Sequence, residues 1–262
     1  MALFDRNIRD ALERLIDVAD KEIRKDFYNG CIVDENDYTS NLTSHIRKII
    51  NAALPLSVYT FSQKLPPTQE RHWGADAMVV LIDHNLNLGK VSFFEAKTDR
   101  QNWDYYQTSS TTSHFSTQLE RQVRARNFKY AVWEQFYTKK DINAPNQGYR
   151  NQEGSSCIFH DVAYNLHAPL PNSTIWTDSD VDYLCKMQRE SYLPITMGGV
   201  IRFICECHCG SPYPISDIIN FLSEKLNVND VLIIEGGYPP NSENEKSSIG
   251  VILEKINQVN RE

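Results

Sequence analysis

Apolar residues recur three and four positions apart at the start of the chain. Phe4, Ile8, Leu12, Leu15, Ala19 and Ile23 share one helical face with charges on the other, which predicts an amphipathic helix of about six turns that stops near Gly30. A second helix is expected from the capping residues Thr39–Asn41 through Leu42, Ile46, Ile49 and Ala53, ended by Pro55. The period then changes. Residues 58–65 alternate as a short strand closed by Pro66 and Pro67, and residues 75–83 and 90–98 are rich in Val, Ile and Phe on either side of the turn-forming HNLNLG, so they read as an antiparallel hairpin. A long helix is expected from about Ser113 to Tyr137, with Phe115, Leu119, Val123, Tyr130 and Val132 as core contacts.

Residues 140–156 are polar and rich in Asn, Gln and Gly, the pattern of a long loop or subdomain boundary. Beyond them the sequence predicts strands over 157–162, 199–207 and 231–234, helices over 179–190 and 215–226, and a loop over 238–248. A final helix is expected through Ile249, Ile252, Leu253, Ile256 and Val259. Helices and strands alternate throughout, so the expected class is α/β or α+β with helices on both faces of a sheet. The division expected is a core over 1–139 with its N-terminal helices, and a C-terminal α/β elaboration over 140–262 packed on it.

At 262 residues the chain can bury a full core without disulfides. Its apolar runs, such as 77–82, fall far short of the roughly 20 residues that cross a bilayer, and its start has no apolar signal core. No membrane association and a cytoplasmic location are the expectations. The 27 Lys and Arg against 34 Asp and Glu give a net charge of −7, opposite to that of a protein living on non-specific phosphate attraction. An enzyme whose acidic cluster holds cations is compatible with that sign. Six cysteines in a chain of this size agree with a reducing compartment.

The chemistry concentrates in Trp73-Gly74-Ala75-Asp76, a strand, a turn, and Phe93-Phe94-Glu95-Ala96-Lys97. Alternate strand residues share a face, so Glu95 and Lys97 point together, and Asp76 heads the neighbouring strand within reach of both. Carboxylate oxygens are hard ligands suited to Mg²⁺, which needs only one or two protein carboxylates. A lysine beside them orients or deprotonates a water and offsets charge building on a phosphate. That is equipment for metal-assisted phosphodiester hydrolysis.

Asp76…Glu95-Ala96-Lys97 resembles the PD-(D/E)xK signature of the restriction-endonuclease-like nuclease superfamily, with Ala75 in place of the proline and eighteen residues between the acids. Upstream, Asp34-Glu35-Asn36-Asp37-Tyr38-Thr39 leading into Leu42 is similar to that family's acidic opening. Downstream, Gln118 stands where many members carry a site-facing glutamine. The resemblance spans roughly residues 30–137 and implies a central mixed sheet flanked by helices. It also implies a Mg²⁺- or Mn²⁺-dependent nuclease acting on nucleic acid, with DNA as the expected substrate, in restriction, repair, mobile-element processing or anti-phage defence. Asp76, Glu95 and the Ala96 carbonyl would hold the metal, Lys97 would act on the attacking water, and Glu35 and Gln118 would be accessory, Glu35 as a further ligand. A homodimer or a multi-protein complex is the implied assembly. The rival readings are a catalytically silent nuclease-fold binding subunit, and an unrelated α/β protein in which Asp76 and Glu95 lie apart.

Other features admit two readings each. Arg121 and Arg124, one turn beyond Gln118, guide a nucleic-acid strand or form a solvated helix face. Trp103, Tyr105 and Tyr106 stack on unpaired bases or form a packed corner. Cys205, Cys207 and Cys209 in CECHCG, with Cys157 and His160 as a second pair, hold a structural Zn²⁺ or are buried structural thiols. Their C-x-C-x-C spacing favours the thiols.

Overall fold

The computed structural model describes residues 2–63, 72–99, 103–107, 111–139, 149–223 and 228–237. Its strands are β1 (Ser57–Ser62), β2 (Ala77–Asp83), β3 (Leu88–Thr98), β4 (Ala131–Tyr137), β5 (Ser156–Phe159), β6 (Tyr213–Pro214) and β7 (Asp230–Gly236). They form one mixed sheet in the order β1-β7-β2-β3-β4-β5, with β6 pairing to β3. β2 runs antiparallel to β3 and parallel to β7, and β3 runs parallel to β4. Residues on both sides of position 140 therefore contribute strands to the same sheet. β2 and β7 are buried along their whole length, which is why AMVVLID and DVLIIEG read as near-continuous apolar runs rather than alternating ones.

The sheet is covered on both faces, as an α/β architecture requires. On one side, Ala77, Val79, Leu81, Phe94 and Ala96 pack beneath α1 (Arg6–Tyr28), α2 (Glu35–Ala53) and α6 (Met197–Cys205). On the other, Met78, Val80, Val91 and Phe93 meet Trp73, Ala125 of α3 (His114–Asn127) and Ile215, Ile218 and Leu222 of α7 (Ile215–Ser223). A third apolar cluster joins α3 and β4 to α4 (His160–Leu166) and α5 (Asp178–Glu190). Asp5 caps α1 by accepting from the Ile8 N–H at 2.9 Å, and its buried residues Leu12, Ile16, Ala19, Ile23 and Phe27 keep helical spacing. No helix among the described residues is long and apolar enough to cross a membrane.

Several expectations are corrected. α2 begins at Glu35, not near Thr39, because the Asp34 carboxylate accepts from the Asp37 N–H at 2.9 Å and starts the helix earlier. The long helix over 113–137 is two elements. α3 stops at Asn127, Lys129 adopts φ +57°, and β4 follows. A lysine in that left-handed conformation gives no glycine-like stop signal, and Tyr130 and Val132, beyond the helix, fit helical spacing by coincidence. Residues 199–207 belong mostly to helix α6, not to a strand. Thr196 caps it through a 3.0 Å bond from the Gly199 N–H. Gly198 lets it approach α1, since a Cβ there would lie 2.1 Å from the Glu13 carbonyl oxygen. The strand expected over 157–162 ends at Phe159, and α4 takes over. The expected loop over 238–248 and final helix over 249–259 lie outside the described residues, as do residues 140–148 of the expected loop over 140–156.

Candidate active site

The segment from Trp73 to Asp76 is placed by a backbone turn that only glycine makes without strain. Gly74 has φ +65°, and a Cβ there would sit 2.7 Å from the Gln118 carbonyl oxygen and 2.9 Å from the Arg121 Cβ of α3. The Gly74 carbonyl accepts a 2.8 Å bond from Gln122 Nε2. Trp73 then stacks on Phe93, 5.0 Å between centroids. Asp76 follows at the junction of three strands. Its N–H donates to the Phe94 carbonyl at 3.0 Å, its carbonyl receives the Asn229 and Asp230 N–H groups at 2.9 and 3.2 Å, and its Oδ2 accepts from the Ala96 N–H at 2.8 Å.

One step past the Ala77–Phe94 pair, Asp76 stands opposite Glu95 on the sheet. Pleating puts Asp76, Glu95, Lys97 and Glu134 on the face that carries Phe93 and Val132. Glu95 is 2% and Lys97 7% exposed. Lys97 Nζ donates to Glu95 Oε1 and, at 3.0 Å, to the Ala96 carbonyl, and Gln118 Nε2 donates to the same Glu95 oxygen. Phe115 lies beneath the ammonium, 5.4 Å from ring centroid to Nζ. Glu35 arrives from the opposite layer, in the first turn of α2, and its Oε2 accepts from Thr98 Oγ1 at 3.0 Å. The structure thus brings Glu95, Lys97 and Gln118 into contact, sets Asp76 across from them, and places Glu35 beside the end of β3.

The electrostatics follow from crowding. Burial, and then the neighbouring Asp76, hold the Glu95 carboxyl well above the ordinary carboxylate range; Lys97 pulls it back and Glu134 pushes it further up. Burial alone would make Lys97 easier to deprotonate. Glu95, Asp76 and Glu35 together outweigh it and hold the ammonium above the usual lysine range. Lys97 is therefore a fixed positive charge, suited to orienting a water or offsetting a phosphate rather than to removing a proton.

Two oxygens expected to face a metal, Glu95 Oε1 and the Ala96 carbonyl, converge on one cation already, the Lys97 ammonium. Hard carboxylate and carbonyl donors around an excess of negative charge fit a divalent ion that keeps most of its waters. Among the described residues, no group of three or more His, Cys, Asp or Glu is arranged to hold a metal, so an ion here would rest on Asp76, Glu95, the carbonyl and water. The CECHCG cysteines form no such group either. Cys205 is buried at the end of α6, and Cys207 and Cys209 are half-buried.

Arg121 and Arg124 flank the Trp73–Asp76 segment. Arg121 lies against Gly74, and the Arg124 guanidinium covers the Trp73 ring at 5.4 Å. Trp103 is a packed corner: it is buried, meets Phe136 edge-on at 5.3 Å, and its indole N–H donates to Asp178 at 2.9 Å. Tyr105 and Tyr106 are exposed.

A second buried layer was not evident in the sequence. Glu134 is the register partner of Glu95 on β4. Gln122 Nε2 donates to Glu134 Oε2 at 3.1 Å, and His160 Nδ1 lies 2.7 Å from Gln122 Oε1 and 3.5 Å from Glu134 Oε1. Because Gln122 spends its amide hydrogens on Glu134 and Gly74, the proton between Gln122 and His160 belongs to His160 Nδ1. His160 Nε2, Glu134 Oε1 and Gln118 Oε1 are buried without a hydrogen-bond partner. In a helical reading Glu134 belongs to an exposed face; only the strand register brings it beside Glu95.

No family model, no curated protein and no solved structure matches this chain.

Proposed function

We propose that the chain is a divalent-metal-dependent nuclease that hydrolyses phosphodiester bonds of DNA, built on a restriction-endonuclease-like core and working as a homodimer or inside a larger complex. The observation that carries this reading is the meeting of Glu95, Lys97 and Gln118 opposite Asp76, in a spot where the acids Glu95, Asp76 and Glu35 surround one ammonium. The order α2–β1–β2–β3–α3 along the chain agrees with it.

In this reading Asp76, Glu95 and the Ala96 carbonyl hold Mg²⁺ or Mn²⁺, with Glu35 accessory. The ion supplies Lewis-acid polarisation of the phosphate. Lys97, kept charged by its three acidic neighbours, orients the attacking water and offsets charge growing on the phosphate oxygens. Since Lys97 holds its own proton, the water's proton would pass to bulk water or to a carboxylate that does not hold the ion. Gln118 fixes the Glu95 carboxylate in line with β3.

The test is cleavage of plasmid and single-stranded DNA in Mg²⁺ or Mn²⁺ by wild type, Glu95→Ala and Lys97→Ala. Cutting by wild type alone is the expected result. Absence of both cleavage and metal binding overturns the reading. A second reading, a catalytically silent nuclease-fold binding subunit, is favoured by one observation: the Lys97 ammonium already bridges Glu95 and the Ala96 carbonyl. DNA or partner binding that survives Lys97→Ala, without cleavage by wild type, would select it.

A further inference from the structure

Directly beyond the Glu95–Lys97 cluster the chain presents two stacked rings. Tyr105, 61% exposed, lies over His114 at 4.6 Å between centroids with 14° between the planes. This is no loose surface pair. The His114 N–H donates to the Tyr105 carbonyl at 2.9 Å, Gln107 N–H to the Thr112 carbonyl at 3.1 Å, and Tyr106 bridges Ser113 across the same short ribbon. Buried Asp104 pins both arms, accepting from the Tyr105 N–H at 2.7 Å and the Phe115 N–H at 2.9 Å.

The position of the stack is set by α3. His114 and Gln118 are four residues apart, so they share a helix face about 6 Å apart along the axis, and Gln118 touches Glu95. The Tyr105 hydroxyl is held above its ordinary value first by partial burial, while Lys97 lowers it and Glu35 and Glu95 raise it. The rings and the carboxylates therefore share one neighbourhood.

We propose that the Tyr105–His114 stack is a base-stacking platform that receives an unpaired nucleotide beside the Glu95–Lys97 cluster, so that the substrate class is single-stranded nucleic acid or a frayed end. This rests on the nuclease reading for what happens to the phosphate. The chemistry fits the occupant: every base has a π-face that an aromatic ring can stack on without reading sequence, and a base paired inside a duplex does not expose it. An ordered, rigid and exposed aromatic pair also loses little freedom on binding.

The experiment uses the full chain in EDTA, so that cutting is off, with a fluorescent 2-aminopurine oligonucleotide as a single strand and as a blunt duplex. Emission is expected to be quenched when the wild type and Tyr105→Phe bind the single strand. Tyr105→Ala loses the quench and binds it about tenfold more weakly, the size of one base–aromatic stack, with the duplex unaffected. His114→Ala, which unseats Tyr105, shows a smaller loss. Tyr105→Ala binding the single strand as the wild type does, or losing affinity equally for the duplex, overturns the platform. Parallel cleavage in Mg²⁺ separates the two readings. Glu95-dependent cleavage with no Tyr105 effect leaves the nuclease and removes the platform. Tyr105-dependent quenching without any cleavage leaves a single-strand-binding surface and removes the nuclease.

Discussion

Two buried carboxylates, Asp20 and Glu95, show opposite ways of keeping an acid inside a protein. Both are almost fully buried, at 1% and 2% exposure, and burial raises the pKa of both. Asp20, on α1, accepts from the Tyr38 hydroxyl at 2.7 Å, the Ser155 N–H at 2.7 Å and the Ser155 hydroxyl at 2.6 Å, and Arg24 adds positive charge nearby. Every one of those neighbours favours the carboxylate. Glu95 has the single ammonium of Lys97 and the amide of Gln118, set against the like charges of Asp76 and Glu134. The first arrangement ties α1, α2 and the segment before β5 together. The second keeps several acids around one ammonium at a sheet end, a charge imbalance that a bound cation would relieve.

The largest expected effect that sharpens this contrast is Lys97→Met. It leaves Glu95 buried among acids, so stability falls by about 3–5 kcal/mol in chemical denaturation. The loss shrinks at low pH, where Glu95 takes up a proton, and adding Glu95→Gln recovers much of it. Gly74→Ala comes next, at about 2–4 kcal/mol, from the left-handed backbone and the clash with α3; it also displaces Asp76 and lowers cleavage.

Asp20→Ala leaves Tyr38 and Ser155 unpaired and costs about 2–3 kcal/mol, while cleavage per folded molecule stays at the wild-type rate. A drop in that rate would erase the distinction between the two acids. Asp17 tests α1 by pH. Burial raises its carboxyl from 3.8 to about 6 against the opposing bonds from Gly198 N–H and Thr196 Oγ1. The native state therefore holds a proton that the unfolded chain has lost, and stability falls as pH rises from about 4 through 6. Asp17→Asn removes this dependence, a difference of about 2 kcal/mol between pH 4 and 7. The smallest effect is a ligand shift. If the cluster holds Mg²⁺ as proposed, the ion at ten times its Kd stabilises the wild type by about 1.4 kcal/mol, seen as a raised Tm that is absent in Glu95→Ala and kept in Asp20→Ala.

Much of this geometry could be read from the residues. The β2–β3 hairpin was legible because HNLNLG punctuates two apolar runs, and hairpin register then fixes Asp76 opposite Glu95. The four-residue helical step explains how Gln118 reaches back to Glu95 from α3. β4 was hidden, because Lys129 makes a turn that glycine usually announces, and with it went Glu134, whose burial depends on which strand lies beside β3. The Gln122–His160 contact was hidden for a different reason. It joins positions 38 residues apart in sequence through a layer that no local pattern encodes. Residues 199–207 misled by their composition: a short, largely apolar stretch fits a buried strand and a buried helix alike, and the capping Thr196 was the one signal that told them apart.

The place of β7 has a consequence for how the molecule comes into being. This strand, drawn from residues 230–236, lies between β1 and β2 and delivers the two N–H groups that hold the Asp76 carbonyl. A nascent chain leaves the ribosome from its N-terminus, so β1 and β2 emerge as open edges with no partner between them. They stay that way until residues 230–236 have been made. The hairpin bearing Glu95 and Lys97 exists early, but the strand that clamps its neighbouring acid in place comes well after it along the chain. Synthesis itself thus delays completion of the charged cluster, and a prematurely terminated product would display two sticky sheet edges instead of a finished site.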